Sequence, residues 1–145
     1  MMRQKFENIP FIAARLFIGG LFIYAGVPKI INPQGFAQAI YNYQILPDFI
    51  IHPAAVILPW VETVTGGFLV AGIWVSGAAL LANLMLYVFT AALMITLFRG
   101  IDIDCGCFAA AGAEIINPAT IARDIVFLLV AGYVFIKSLK IETDL

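Results

Sequence analysis

The chain has 145 residues, 63% of them hydrophobic and 12% charged, against about 45–50% apolar and roughly 25% charged in a water-soluble domain. With a mean hydropathy of +1.01 it belongs in a bilayer, as a single membrane domain over residues 1–145. A net charge of −1 without any basic run excludes nucleic acid as a partner.

The opening "MMRQKFENIPFIAARLFIGGLFIYAGV" is a basic start followed by an apolar stretch. That stretch exceeds a signal-peptide core and lacks a convincing A-x-A cleavage site, so it predicts a retained first transmembrane helix, 9–31. Gly19, Gly20 and Gly26 suit close helix packing there. Arg15 sits near the start of this span, placed to snorkel, and Lys29 lies near its far end.

The loop 32–52, "NPQGFAQAIYNYQILPDFIIHP", carries Asn32 as an N-cap and Pro33 at the first helical position. Phe36, Ile40 and Tyr43 then recur at near-helical spacing. The pattern predicts a short amphipathic helix on the membrane surface, either a lid over the bundle mouth or an anchor for the loop.

Spans two and three are expected at 53–73 and 76–98, joined by a hairpin "GIWVSG" so short that the helices must be antiparallel neighbours. Glu62, in "PWVETVTGG", lies about three turns into span two, beside Gly66 and Gly67. An ionisable residue within a span is costly in lipid and points to a partner or a function. Lys29 and Arg123 are the candidate partners, giving either an ion pair that fixes helix register or a proton-handling site for a buried redox cofactor. Trp60 is within a turn of Glu62 along the chain, where a flat ring such as a quinone has something to stack on.

The fourth span is expected at 118–136 and holds Arg123-Asp124 in its first two turns. No strand-like alternation appears, so the fold class is all-α: a four-helix transmembrane bundle with a short amphipathic helix in the first outer loop. Four spans put both termini on one side. Arg3 and Lys5 before the first span, with Lys137 and Lys140 after the last, place that side in the cytoplasm. Lys29, Arg99 and Arg123 weaken the bias. For a bacterial inner-membrane protein the loops 32–52 and 99–117 then face the periplasm, where disulfides persist.

The second of those loops, "RGIDIDCGCFAAAG", holds both cysteines of the chain, Cys105 and Cys107, separated by one glycine. Glycine gives the backbone freedom to bring the sulfurs together. So small a ring is strained, and strained, exposed disulfides are the labile ones. Closing so short a loop removes little chain entropy, which argues against a staple. The reading favoured is an exchangeable dithiol/disulfide. A metal site with Asp102, Asp104 and His52 supplies too few sulfur or nitrogen ligands for structural zinc, and inert thiols are the third reading. Asp102 and Asp104 raise thiol pKa, whereas Arg99 and the start of the fourth helix lower it, so the nucleophile stays open.

"RLFIGGLFIYAGVPKIINPQGF" and "LPWVETVTGG" resemble the first two spans of DoxX-like membrane proteins. "DCGCF" with "INPATIARDIVFLLVAG" resembles the MauE family more specifically, except that Ala109 stands after Phe108 where a glycine is expected. The resemblance implies a redox-associated four-helix bundle, similar to that of vitamin K epoxide reductase, acting with a thioredoxin-like partner in disulfide formation. Vitamin K epoxide reductase-type enzymes pass electrons from protein thiols to a quinone, commonly through a second cysteine pair that this chain lacks. Cys105 and Cys107 would therefore exchange directly with a periplasmic thioredoxin-like protein and with a membrane quinone, ubiquinone or menaquinone. Glu62, Trp60, Lys29 and Arg123 would hold the quinone or manage its protons. No residue points to methylamine as a substrate. The rival class is a non-catalytic membrane subunit that docks or stabilises a redox or maturation partner; a transporter is disfavoured because no internal repeat is seen.

Overall fold

The computed structural model describes residues 9–100 and 118–144; Cys105 and Cys107, with Asp102 and Asp104, lie outside the described residues. Five helices follow in chain order: α1 Ile9–Ile31, α2 Pro33–Tyr43, α3 Asp48–Ala71, α4 Val75–Phe98 and α5 Pro118–Thr143, with no strand among the described residues. All but α2 are long and apolar enough to cross a membrane. Large apolar side chains such as Phe17, Leu84 and Leu129 point outward, an arrangement suited to lipid rather than water. The protein is a multi-pass helical membrane protein.

Helices α1 and α4 cover the stretches 9–31 and 76–98 where hydropathy predicts spans one and three. Helix α3 starts at Asp48, ahead of the expected span at 53–73, because Pro47 supplies an extended N-cap and Asp48 favours the helix N-terminus. Helix α5 runs on to Thr143, past the apolar stretch that ends at 136, and carries Lys140 in its last turn. Helix α2 forms as its capping pattern predicts. Asn32 Oδ1 accepts from Gly35 N–H at 3.1 Å, Pro33 begins the helix, and Gln44 ends it in the left-handed region. Arg99, at the end of α4, donates to the Gln44 carbonyl at 3.3 Å and ties the two helix ends together.

The ends of α1 and α4 and the starts of α3 and α5 share one end of the bundle, here the loop end. The tight α3–α4 turn marks the opposite, hairpin end. There Gly72, with φ +76°, closes α3, and a Cβ on it would sit 2.9 Å from Arg15 Nη1. Arg15 is thus packed against the α3–α4 turn, where a cation suits the C-terminal end of a helix dipole.

Helix α1 packs most extensively on α3. A Cβ at Gly19 would lie 2.8 Å from Val70 Cγ2, and one at Gly66 would lie 2.6 Å from the Gly19 carbonyl oxygen. One at Gly26 would collide with Thr63 Oγ1 and crowd the Pro59 carbonyl. Small residues let the backbones approach this closely, and in lipid, where no hydrophobic force drives helices together, that contact is a main source of adhesion. Gly20 and Gly67 face open space instead. Helices α4 and α5 are joined by Asn83, whose side-chain amide donates to the Ala79 and Ala131 carbonyls at 2.7 and 2.9 Å. At the loop end, Phe36 and Ala37 of α2 pack on Ile51 and Ala55 of α3, so α2 roofs the bundle mouth.

Candidate functional site

The close α1–α3 contact brings Lys29 beside Glu62. Side chains on a helix lean toward its N-terminus, so Lys29 reaches back from near the end of α1 to the level of Glu62 on antiparallel α3. Its Nζ donates to both Glu62 carboxylate oxygens at 3.2 Å. The pair is sealed from its surroundings, with Lys29 1% and Glu62 4% exposed. Phe36 and Phe89 cap the ammonium, their ring centres 4.6 and 5.1 Å from Nζ. An ammonium over aromatic faces is attracted to their electron-rich centres, which lowers the cost of holding it away from water.

Of the two candidate partners for Glu62, the structure selects Lys29. Arg123 instead donates to Oδ1 of its neighbour Asp124 at 3.4 Å and lies over the Phe127 ring. Asp124 is itself buried, at 4%, and lines the same half-open pocket as the ion pair. That space is a cavity of about 50 Å³ whose wall includes Lys29, Glu62, Asp124, Phe22, Phe89 and Phe127. Tyr43, at the end of α2, is close enough to Asp124 to sense its charge. Burial first, and the Asp124 carboxylate second, push the Tyr43 phenol well above its ordinary range, so it stays protonated.

A second cavity, of about 410 Å³, opens between α3 and α4 beneath α2. Its wall is wholly apolar and includes Phe36, Tyr43, Leu58, Leu84, Met85 and Phe89. Phe36 and Phe89 border it and also cover Lys29, so two rings stand between a lipid-like chamber and the buried ammonium.

The remaining expected residues are scattered. Trp60 is 56% exposed and lines neither cavity. His52 lies exposed on α3 near Asp48 and Gln34, and no cluster of metal-binding side chains occurs among the described residues. Asp124 and Phe89 escaped notice as site residues. The signal for Asp124 was an acid inside an apolar span, the same argument that singled out Glu62.

Four apolar helices closed around a buried, aromatic-capped ion pair define an α-helical membrane protein with an ionic centre near one end of its bundle. The family model described as "Methylamine utilisation protein MauE" matches residues 7–137, and the chain belongs to that family. The methylamine utilization protein MauE of Paracoccus denitrificans is 33% identical over 120 residues, a match covering 82% of this chain and 64% of the relative. That of Methylophilus methylotrophus is 35% identical over 108 residues, covering 72% of this chain and 56% of the relative. The chain thus spans less than two thirds of the length of these relatives. No solved structure matches it.

Proposed function

We propose that this protein is a thiol–disulfide redox protein that exchanges electrons between a periplasmic thioredoxin-like protein and a membrane quinone through Cys105 and Cys107. The observation that carries the reading is one of position. The connection bearing Cys105-Gly106-Cys107 runs from the end of α4 to Pro118 at the start of α5, and Asp124, on the second turn of α5, lines the ionic cavity. The chain therefore leaves α4 and enters α5, on either side of that connection, at the same end of the bundle as the buried ionic centre. Its relatives' names add methylamine utilisation as the setting.

In this reading a partner thiolate attacks the Cys105–Cys107 disulfide and forms a mixed disulfide; the partner's second thiol resolves it. The partner leaves as a disulfide, and this chain holds the two electrons and two protons as a dithiol. The quinone accepts both electrons and both protons, leaving as quinol while the Cys105–Cys107 bond re-forms. Net electron flow from partner to quinone is the proposed direction, with the loop end facing the periplasm.

The quinone is best accommodated in the larger cavity. A cavity of about 410 Å³ falls within the range of roughly 300–1,000 Å³ typical of small-molecule sites, and its apolar wall suits a ring and an isoprenoid tail. The 50 Å³ cavity is too small for the ring. Contact between a quinone oxygen and Lys29 thus requires Phe36 or Phe89 to turn aside, and Glu62 and Arg123 act at one remove. Trp60, on the outer face, would meet a quinone only as it approaches through the lipid.

Cysteine trapping tests the exchange. In native membranes, Cys107→Ser or Cys105→Ser should accumulate a covalent adduct with a thioredoxin-like protein that a reductant releases. Full activity in both variants with no adduct in either would contradict the exchange and favour the non-catalytic docking subunit.

A further inference from the structure

The hairpin end of the bundle carries a polar pocket that thiol exchange does not use. It is open, of about 250 Å³, and lies between the start of α1, the α3–α4 turn and the last turns of α5. Arg15 on its wall is a cation left without an anion. Its Nε is shielded from solvent and has no hydrogen-bond partner, and the guanidinium forms no ion pair among the described residues. A guanidinium is always charged and carries only donors, so holding one in a span without an acceptor is costly. The C-terminal end of α3, against which it packs, offers a partial charge at most. Glu142, exposed on α5, borders the same pocket and also forms no ion pair among the described residues. Two opposite charges thus face one space without meeting, and each is available to a molecule lying between them.

The depth of the pocket says what kind of molecule that is. Trp74, in the turn, is 72% exposed, and its indole folds over the first turn of α4, where a Cβ on Gly77 would lie 2.7 Å from Cε2. An exposed tryptophan at the end of a span sits at the level of the lipid headgroups. Phe11, Val75 and Ile141 give the pocket an apolar wall as well, which suits the glycerol and first methylenes of a lipid and is of no use to a free phosphate.

We propose that this pocket holds the headgroup of phosphatidylethanolamine, with its phosphate on the Arg15 guanidinium and its ammonium on the Glu142 carboxylate. Arginine takes phosphate oxygens in a planar, two-pronged grip, and pockets of this kind at the ends of spans recognise headgroups. Ser76, on the same wall, adds a hydroxyl donor. The ammonium brings N–H donors to Glu142. A choline headgroup has no such donors and a glycerol headgroup no positive charge, so the acid selects among lipids that the arginine alone would treat alike. The site stands independently of thiol exchange.

Lipid retention tests the site. The full chain is reconstituted in vesicles of equal parts phosphatidylethanolamine, phosphatidylglycerol and phosphatidylcholine, extracted in mild detergent, and its retained lipids are identified by native mass spectrometry. Phosphatidylethanolamine should be retained several-fold above its share of the mixture. Arg15→Gln should bring it down to that share. Glu142→Gln, an exposed position on which folding does not depend, should still retain phospholipid but no longer prefer phosphatidylethanolamine to phosphatidylglycerol. Equal retention of the three lipids by the unaltered chain, or an unchanged preference in folded Glu142→Gln, would overturn the proposal. Excess inorganic phosphate should leave the lipid in place. Displacement of the lipid by phosphate would identify a site for the free ion and overturn the proposal equally.

Discussion

Lys29 Nζ stands 3.2 Å from both carboxylate oxygens of Glu62, tying the loop end of α1 to the middle of α3 inside the bilayer. Removing one partner of such a pair strands the other charge without water. Glu62→Gln or Lys29→Met should therefore destabilise the protein by about 3–5 kcal/mol, while the double replacement Lys29→Met/Glu62→Leu should recover most of that loss. Thermal unfolding of the four species in one detergent checks this. Single variants as stable as the parent would mean that the pair is hydrated.

The α1–α3 contact makes a second, sharply positional prediction. Gly66→Ala forces a methyl group against the Gly19 backbone and should cost about 1–3 kcal/mol through overpacking. Gly67→Ala, one residue on, meets open space and should leave the midpoint unchanged or slightly raised. Equal effects at the two positions would contradict the helix rotation described above.

Asn83 bridges α4 to α5 by donating to the Ala131 carbonyl. Asn83→Leu should lower stability by about 0.6–2 kcal/mol, the range found for interhelical hydrogen bonds in membranes. The unfolding midpoint reads the loss, and a midpoint above that of the parent would contradict it.

Tyr43 links stability to pH at the alkaline end. Its phenol lies above its ordinary value of 10.0 in the folded chain, through burial and then the Asp124 charge. The folded state thus holds this proton more tightly than the unfolded state does. The contribution is fully present below pH 10.0 and is lost as pH rises from there through the folded value. Tyr43→Phe removes the titrating group, so its midpoint should fall less steeply above pH 10.0 than that of the parent. Parallel curves would show that Tyr43 is solvated.

Legibility in the sequence followed the range of the forces involved. The α2 cap was readable because Asn32, Pro33 and Gly35 act within one turn. Glu62 was readable as a costly group, but its choice of Lys29 over Arg123 depends on how α5 is rotated against α1 and α3, which hydropathy does not encode. Trp60 looked close to Glu62 along the chain, yet residues two apart on a helix do not face each other. The same limit hid the difference between Gly19, which meets α3, and Gly20, which does not. Helix α5 runs on to Thr143, past the expected span at 118–136, because apolar length reports bilayer thickness, whereas a helix continues wherever its backbone bonds are kept.

The most direct test of the account is electron transfer from the reduced Cys105–Cys107 pair to quinone in purified protein reconstituted in vesicles. Free thiols and quinol are counted after ubiquinone is added to the dithiol form under anaerobic conditions. The account predicts one quinol formed for each dithiol consumed, at a rate slowed by Ala92→Phe, which fills the larger cavity from its wall. Thiols that stay reduced, with no quinol formed, would contradict it.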